Sequence, residues 1–210
     1  MVNQPEQQEI IKYDIFPTNV VRSKCPSITP QDKQDLMACG DWMIEQGLYA
    51  ESELTPKYQT HVMLFRDDAP LVCQKLREEF YQACRNYLAV VEGFCLNQEA
   101  LDFTGSGAWV YKGWESLNAK ETNPWHNHNP AFLSGVYYLH DPGDGTFGGT
   151  EFYDPRLSSA HGTRMIEIVP IENTWIIFPG WLHHRSRQLP LEEPRYVVAA
   201  NLYVKVKDGL

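Results

Sequence analysis

Trp125-His126-Asn127-His128-Asn129-Pro130, followed directly by Ala131-Phe132-Leu133-Ser134-Gly135-Val136-Tyr137-Tyr138-Leu139, decides how this chain is read. The apolar run has the length and composition of a strand. Residues i and i+2 of a strand point to the same side, so His126 and His128 are expected to converge on one point. They stand at the start of the strand, where a barrel has its mouth. Two imidazoles facing one way are costly to place without a partner, and imidazole is the commonest transition-metal ligand. Metal ligation is the reading, with a mutually satisfied hydrogen-bonded pair as its alternative.

Around this stretch, from about residue 107 onward, short β-rich runs alternate with turn signals. The runs are 108–111, 132–139, 151–153, 163–169, 174–178, 184–188 and 195–206. Between them lie Asp141-Pro142-Gly143, Gly148-Gly149, Pro170 to Asn173 and the Pro-rich Leu189 to Pro194. Strands of this length and spacing predict a mostly β fold with a double-stranded β-helix core, a cupin-like jelly roll.

The N-terminal half reads differently. Residues 1–12 form a polar tail, and an extended segment follows over 13–21. Thr29-Pro30-Gln31-Asp32 starts a helix, with a hydroxyl N-cap, Pro at the first helical position and a carboxylate in the first turn. Leu36, Gly40, Met43 and Gly47 keep helical spacing, and Gly47 is placed to end it. A second helix opens near Asp67-Asp68-Ala69-Pro70; Val72, Leu76, Phe80, Cys84, Tyr87 and Val91 form its apolar stripe, the mark of a core face. The expected organisation is a tail over 1–12, an extended segment and helices over 13–100 packed on the barrel, and the β-helix core over 101–210, all in one structural domain.

Bulk properties narrow the function. At 210 residues, 43% hydrophobic and 12% aromatic, the chain can bury a sizeable core. A formal net charge of −9 argues against broad nucleic-acid or anionic-membrane binding. Cys25, Cys39, Cys73, Cys84 and Cys95 show no CxxC spacing and read as free thiols. The polar start carries no signal-peptide core, and no apolar run approaches the ~18 residues of a membrane helix. A cytoplasmic setting is expected, with room for a homodimer.

Three further residues complete a constellation. Adjacent strand residues face opposite ways, so only one of His183 and His184 can enter the site. His61, His140 and His161 read as structural. Arg195 opens the last strand and either caps the sheet edge or points inward with Val197, Ala199 and Asn201, a seat for a carboxylate. Tyr138 shares parity with His126 and His128 if no bulge intervenes, and its hydroxyl could aid the same carboxylate or be an ordinary core tyrosine. Asp141, Glu151 and Asp154 are the carboxylates that would replace His128 if it is not a ligand.

His126-x-His128, Ser134-Gly-Val-Tyr-Tyr-Leu139, Asp154-Pro-Arg156, Phe178-Pro-Gly-Trp-Leu-His-His184 and Arg195 to Asn201 resemble, in order and spacing over about 105–205, the iron(II)/2-oxoglutarate oxygenase family. Outside that stretch only Ile15-Phe-Pro-Thr18 carries the likeness. The resemblance implies that His126, His128 and His184 ligate iron(II). It places the distal carboxylate of 2-oxoglutarate on Arg195 with Tyr138 and Asn201 beside it. It implies dioxygen as second co-substrate and hydroxylation of a small molecule, amino acid or peptidyl residue, with release of succinate and CO2. Gly180 and His183 stand where the family motif has Ser and an apolar residue, and Val197 and Ala199 where it has hydroxyls. His128 stands where the wider superfamily keeps a carboxylate. Trp125, Phe152, Arg156 and Trp181 are candidate mouth residues. Two rival readings are a three-histidine cupin dioxygenase that needs no 2-oxoglutarate, and a jelly-roll binding module without catalysis.

Overall fold

A computed structural model describes residues 18–50, 57–61, 63–91, 101–113, 124–143, 145, 148–154, 165–187, 191 and 193–206. The tail, Ile15 to Pro17, Cys95, Arg156, His161 and the Pro-rich turn at 188–190 lie outside them.

Helix α1 (Pro30–Glu45) begins on the expected capping box: Thr29 Oγ1 accepts from the Asp32 amide, and the Asp32 carboxylate accepts from the Thr29 amide. Lys75 Nζ, 2.6 Å from Asp32 Oδ2, ties this cap to the next helix. The Lys75 hydrogen bond and then those from Thr29 pull the Asp32 carboxyl down to about 2. At the other end Gly47 takes φ +69, and the Gly47 and Leu48 amides donate to Ile44 and Met43, so a glycine in the left-handed region closes the helix. Thr29→Ala is expected to cost about 1 kcal/mol, seen as a fall of a few degrees in Tm. An unchanged melting curve would show that the cap contributes nothing.

Helix α2 (Leu71–Val90) buries Cys73, Leu76, Phe80, Ala83, Cys84, Tyr87 and Leu88, a stripe at helical spacing. It lies on a sheet of order β1-β8-β5-β10-β4-β3-β2, comprising β1 (Val21–Lys24), β2 (Tyr49–Ala50), β3 (Lys57–Thr60), β4 (Leu101–Gly113), β5 (Leu133–His140), β8 (Thr174–Pro179) and β10 (Arg195–Val206). A second sheet of order β7-β6-β9 is built from β6 (Thr150–Tyr153), β7 (Met165–Ile168) and β9 (His184–Ser186). The recorded strand pairs are antiparallel, as in a jelly roll.

Strand alternation divides the large sheet between two cores. Tyr137, Leu139, Trp175, Ile177, Val198, Ala200 and Leu202 face the helices, with Phe80 on Trp175 at 4.9 Å between ring centroids. Tyr138, Ile176 and Phe178 face the small sheet and close on Phe152, with Val136, Val197 and Ile168 alongside. Covered on both faces, β5 reads as a near-continuous apolar run.

The N-terminal half does more than pack on the barrel: β1 extends the large sheet at one edge, and β3 with the two-residue β2 extends it at the other. Strand β4 is also longer than the 108–111 run suggests. Cys25, Cys39, Cys73 and Cys84 are free thiols. Among the described residues no helix is long and apolar enough to cross a membrane.

Candidate metal centre

His126 and His128 do converge, but not by strand parity. They precede β5 rather than forming its start, and only His126 takes part in a β-bridge, an isolated one to His184. The His126 amide donates to His184 O at 3.1 Å, and the His184 amide returns the bond at 3.0 Å. The His128 amide donates to Gly180 O at 2.8 Å, fastening this segment to the β8–β9 turn. The same break removes the parity argument for Tyr138, which faces inward through the alternation of β5 itself.

His126, His128 and His184 each offer a nitrogen, all within 4.8 Å of one another. The Nδ1 atoms of His126 and His184 lie 2.9 Å from the carbonyls of Pro124 and Leu182. A carbonyl only accepts, so both Nδ1 atoms carry the hydrogen and, in the neutral rings, both Nε2 atoms keep a lone pair. His128 Nε2 is 3.2 Å from His184 Nε2. Burial, then the neighbouring His126, pushes the His184 imidazole down to about 3 and that of His128 to about 4. Both are therefore unprotonated at neutral pH, the state a metal requires. Phe178 packs on His184 at 4.7 Å and Trp109 on His128 at 5.6 Å, an apolar wall on one side of the cluster. The donor set fits a divalent transition metal with open positions.

Of the adjacent pair, His184 is buried and lies in the cluster, whereas His183 is exposed, with Nε2 3.3 Å from the Asn127 side-chain amide nitrogen. Of the alternative carboxylates, Glu151 bonds Arg185 at 2.6 Å, Asp141 bonds Arg195, and the metal cluster includes no carboxylate among the described residues. At the mouth the Arg185 guanidinium lies 4.4 Å over the Trp125 ring, and Trp181 is exposed.

Gly180 has a steric reason. A Cβ there would lie 2.1 Å from Ala131 O, where the segment bearing His128 crosses the β8–β9 turn. Gly180→Ala is expected to cost roughly 1–3 kcal/mol or more and to weaken metal binding by displacing His128. An unaltered Tm and metal titration would refute this.

The second cluster lies deeper. Phe152 pairs with His184 and Thr150 with Ser186, so Thr150 is two residues, roughly 7 Å, further into the barrel. There the Tyr138 hydroxyl is 2.9 Å from Thr150 Oγ1 and 3.3 Å from Ile168 O, and burial raises it to about 12. Arg195 points inward but is not unattended. Its Nε donates to Asp141 Oδ1 at 2.7 Å, its Nη1 donates to Gly148 O, and Asp141 is as buried as the arginine. Nη2 stands 2.6 Å from the same Oδ1 yet off the line of a hydrogen bond, so this buried nitrogen retains donor capacity. An unspent donor beside two hydroxyls fits a carboxylate group. Asn201 accepts from Ser134 Oγ at 2.8 Å, level with Phe178 and hence nearer the metal end. The sequence reading missed Thr150 and the Asp141 pairing, because both depend on contacts across the barrel. His140 bonds Glu172 at 3.1 Å, away from the metal cluster.

Three imidazoles thus converge at one end of the jelly roll, with a basic side chain deeper inside. Residues 109–201 match the family model described as "Putative 2OG-Fe(II) oxygenase". Over this stretch the chain is similar to the 2-oxoglutarate/iron(II)-dependent oxygenases, oxidoreductases that use iron(II), 2-oxoglutarate and dioxygen. No curated protein matches the chain. Solved structures share the fold. A prolyl-4-hydroxylase from Pseudomonas putida superposes with TM-score 0.57 at 11% identity, over 88% of this chain and 92% of that one. A Trichoplax adhaerens prolyl hydroxylase, in complex with a hypoxia inducible factor peptide fragment, gives 0.57 at 13% identity, over 88% and 83%. The dioxygenase for auxin oxidation 1 from Arabidopsis thaliana, bound to 2-oxoglutarate, gives 0.57 at 18%, over 91% and 85%.

Proposed function

We propose that this chain hydroxylates a small molecule, an amino acid or a peptidyl residue, with His126, His128 and His184 as the iron ligands. The observation that carries this is the convergence of the three imidazoles, with two tautomers set by backbone carbonyls. Arg195, with Tyr138 and Asn201, is assigned to 2-oxoglutarate, the arginine and tyrosine at its distal carboxylate. Iron(II), 2-oxoglutarate and dioxygen together supply the oxidant for breaking a C–H bond, with succinate and CO2 released. The protein contributes the rest. Its histidines hold three positions and leave the others open. Phe178, Phe152 and Trp109 keep bulk water from the reacting centre. Trp125 and Arg185 flank the opening through which substrate enters.

Three neutral ligands replace the two histidines and one carboxylate of the wider superfamily, leaving the iron one unit more positive. That favours anionic co-substrates. The Arg195–Asp141 pairing favours one second reading, a three-histidine dioxygenase that binds substrate without 2-oxoglutarate. Titration of anaerobic protein with iron(II) and 2-oxoglutarate separates the two. A visible charge-transfer band that needs both supports the proposal; saturation with iron but no response to 2-oxoglutarate sinks it. Succinate release across metabolite and peptide pools then identifies the substrate. A cytoplasmic setting accords with the free thiols, and a homodimer is compatible with the sheet edges.

A further inference from the structure

Arg22, on the N-terminal strand β1, lies outside residues 109–201 and outside every motif that marks the family. Its register partner is Ile176, which faces the inner core, and residues paired across antiparallel strands share a face. Arg22 therefore points into the barrel. Its Nη2 donates to Val169 O at 2.6 Å. Val169 directly follows Ile168, whose carbonyl accepts from the Tyr138 hydroxyl and whose strand partner is Thr150. The guanidinium is thus anchored one residue beyond the carbonyl that the Tyr138 hydroxyl engages, on the same inner side of the barrel. In agreement, its positive charge stabilises the tyrosinate form of Tyr138, ahead of Arg195.

Charge balance gives this position its meaning. The Arg195 guanidinium is matched by the buried carboxylate of Asp141, so that pair is neutral overall. Arg22 has a backbone carbonyl and, among the described residues, no carboxylate. A dianionic co-substrate placing its far carboxylate here meets one arginine neutralised by Asp141 and one that has no carboxylate partner among the described residues.

Resting on the reading that 2-oxoglutarate binds in this barrel, we propose that Arg22 supplies the net positive charge for its distal carboxylate, while Asp141 holds Arg195 as an oriented hydrogen-bond donor. Arg22 is then a co-substrate-binding residue contributed by the N-terminal extension.

The test compares wild type, Arg22→Gln and Arg22→Lys, each loaded with iron(II) under anaerobic conditions and titrated with 2-oxoglutarate or pyruvate. Pyruvate has the same 2-oxo acid head but no distal carboxylate. Binding is followed by the absorption band and by calorimetry, with iron content and melting temperature recorded for each variant. Arg22→Gln is expected to raise the Kd for 2-oxoglutarate about tenfold to a hundredfold and to leave that for pyruvate within about twofold. Arg22→Lys should recover part of the loss. An unchanged Kd for 2-oxoglutarate in folded, iron-loaded Arg22→Gln overturns the proposal, as does equal weakening for both acids. If Arg22→Gln does not fold, Arg22→Lys decides: the proposal stands only if 2-oxoglutarate weakens more than pyruvate. Wild-type protein that loads iron but binds no 2-oxoglutarate overturns the underlying reading as well, a result distinct from any confined to the variants.

Discussion

His184→Ala is expected to leave the protein without retained iron, and so without turnover. His184 is the most buried of the three imidazoles, and its Nδ1–H is committed to Leu182 O, so the ring has one orientation and keeps its lone pair on Nε2, facing His128. No carboxylate stands in the cluster to take its place among the described residues. The backbone bridge to His126 uses main-chain atoms and survives the substitution. His183→Ala is the matched control: that side chain is exposed and faces away, so iron content should stay at the wild-type level. Elemental analysis after anaerobic loading and desalting reads both variants. Iron kept by His184→Ala and lost by His183→Ala would reverse the assignment.

The second large effect concerns Arg195. Its side chain is 8% exposed and that of Asp141 5%, so Arg195→Ala strands a carboxylate in the interior. Breaking a buried pair from one side costs about 3–5 kcal/mol, which for a chain of this size lowers Tm by roughly 10 °C. Removing both partners avoids the uncompensated charge, so the Arg195→Ala/Asp141→Ala double variant should recover much of that stability. Neither variant should bind 2-oxoglutarate well, and both should retain iron. The double variant therefore separates the co-substrate role from the structural one. If it melts no higher than the single variant, the ion pair is not the source of the cost. If Arg195→Ala loses as much iron as His184→Ala, the role given to Arg195 is wrong.

Local signals in the chain were the readable ones. The Thr29–Asp32 capping box and the stripe on α2 depend on residues three or four apart. The box occurs as expected, and Leu76, Phe80, Cys84 and Tyr87 of the stripe are buried, while Val72 is half-buried and Val91 caps the helix. Strand runs such as 174–178 and 195–206 also match closely, because a two-faced burial pattern is written into each run. Strands β2 and β3 were not legible, since so short a ladder exists only through β4. At the site, the three histidines were recognisable as a set, but the reason for their convergence was not. It is a bridge between His126 and His184, segments far apart in sequence, rather than a shared strand. The partners of Arg195 and Tyr138 are equally non-local: Asp141 lies 54 positions before the arginine. Arg22 escaped notice because nothing around it marks a site until β1 takes its place beside β8.

The placement of the three imidazoles has a mechanical side. His126 and His128 lead into β5 of the large sheet, whereas His184 opens β9 of the small one. An ion bound by all three is a clasp between the two sheets, closing them at the rim where a jelly roll would otherwise gape. Loading it should slow amide exchange in β6 and β9 more than in the helix-backed strands β5 and β8, because α1 packs on β5 and α2 on β8 as a second support. The metal would then set how far the barrel can breathe, as well as what chemistry occurs inside it.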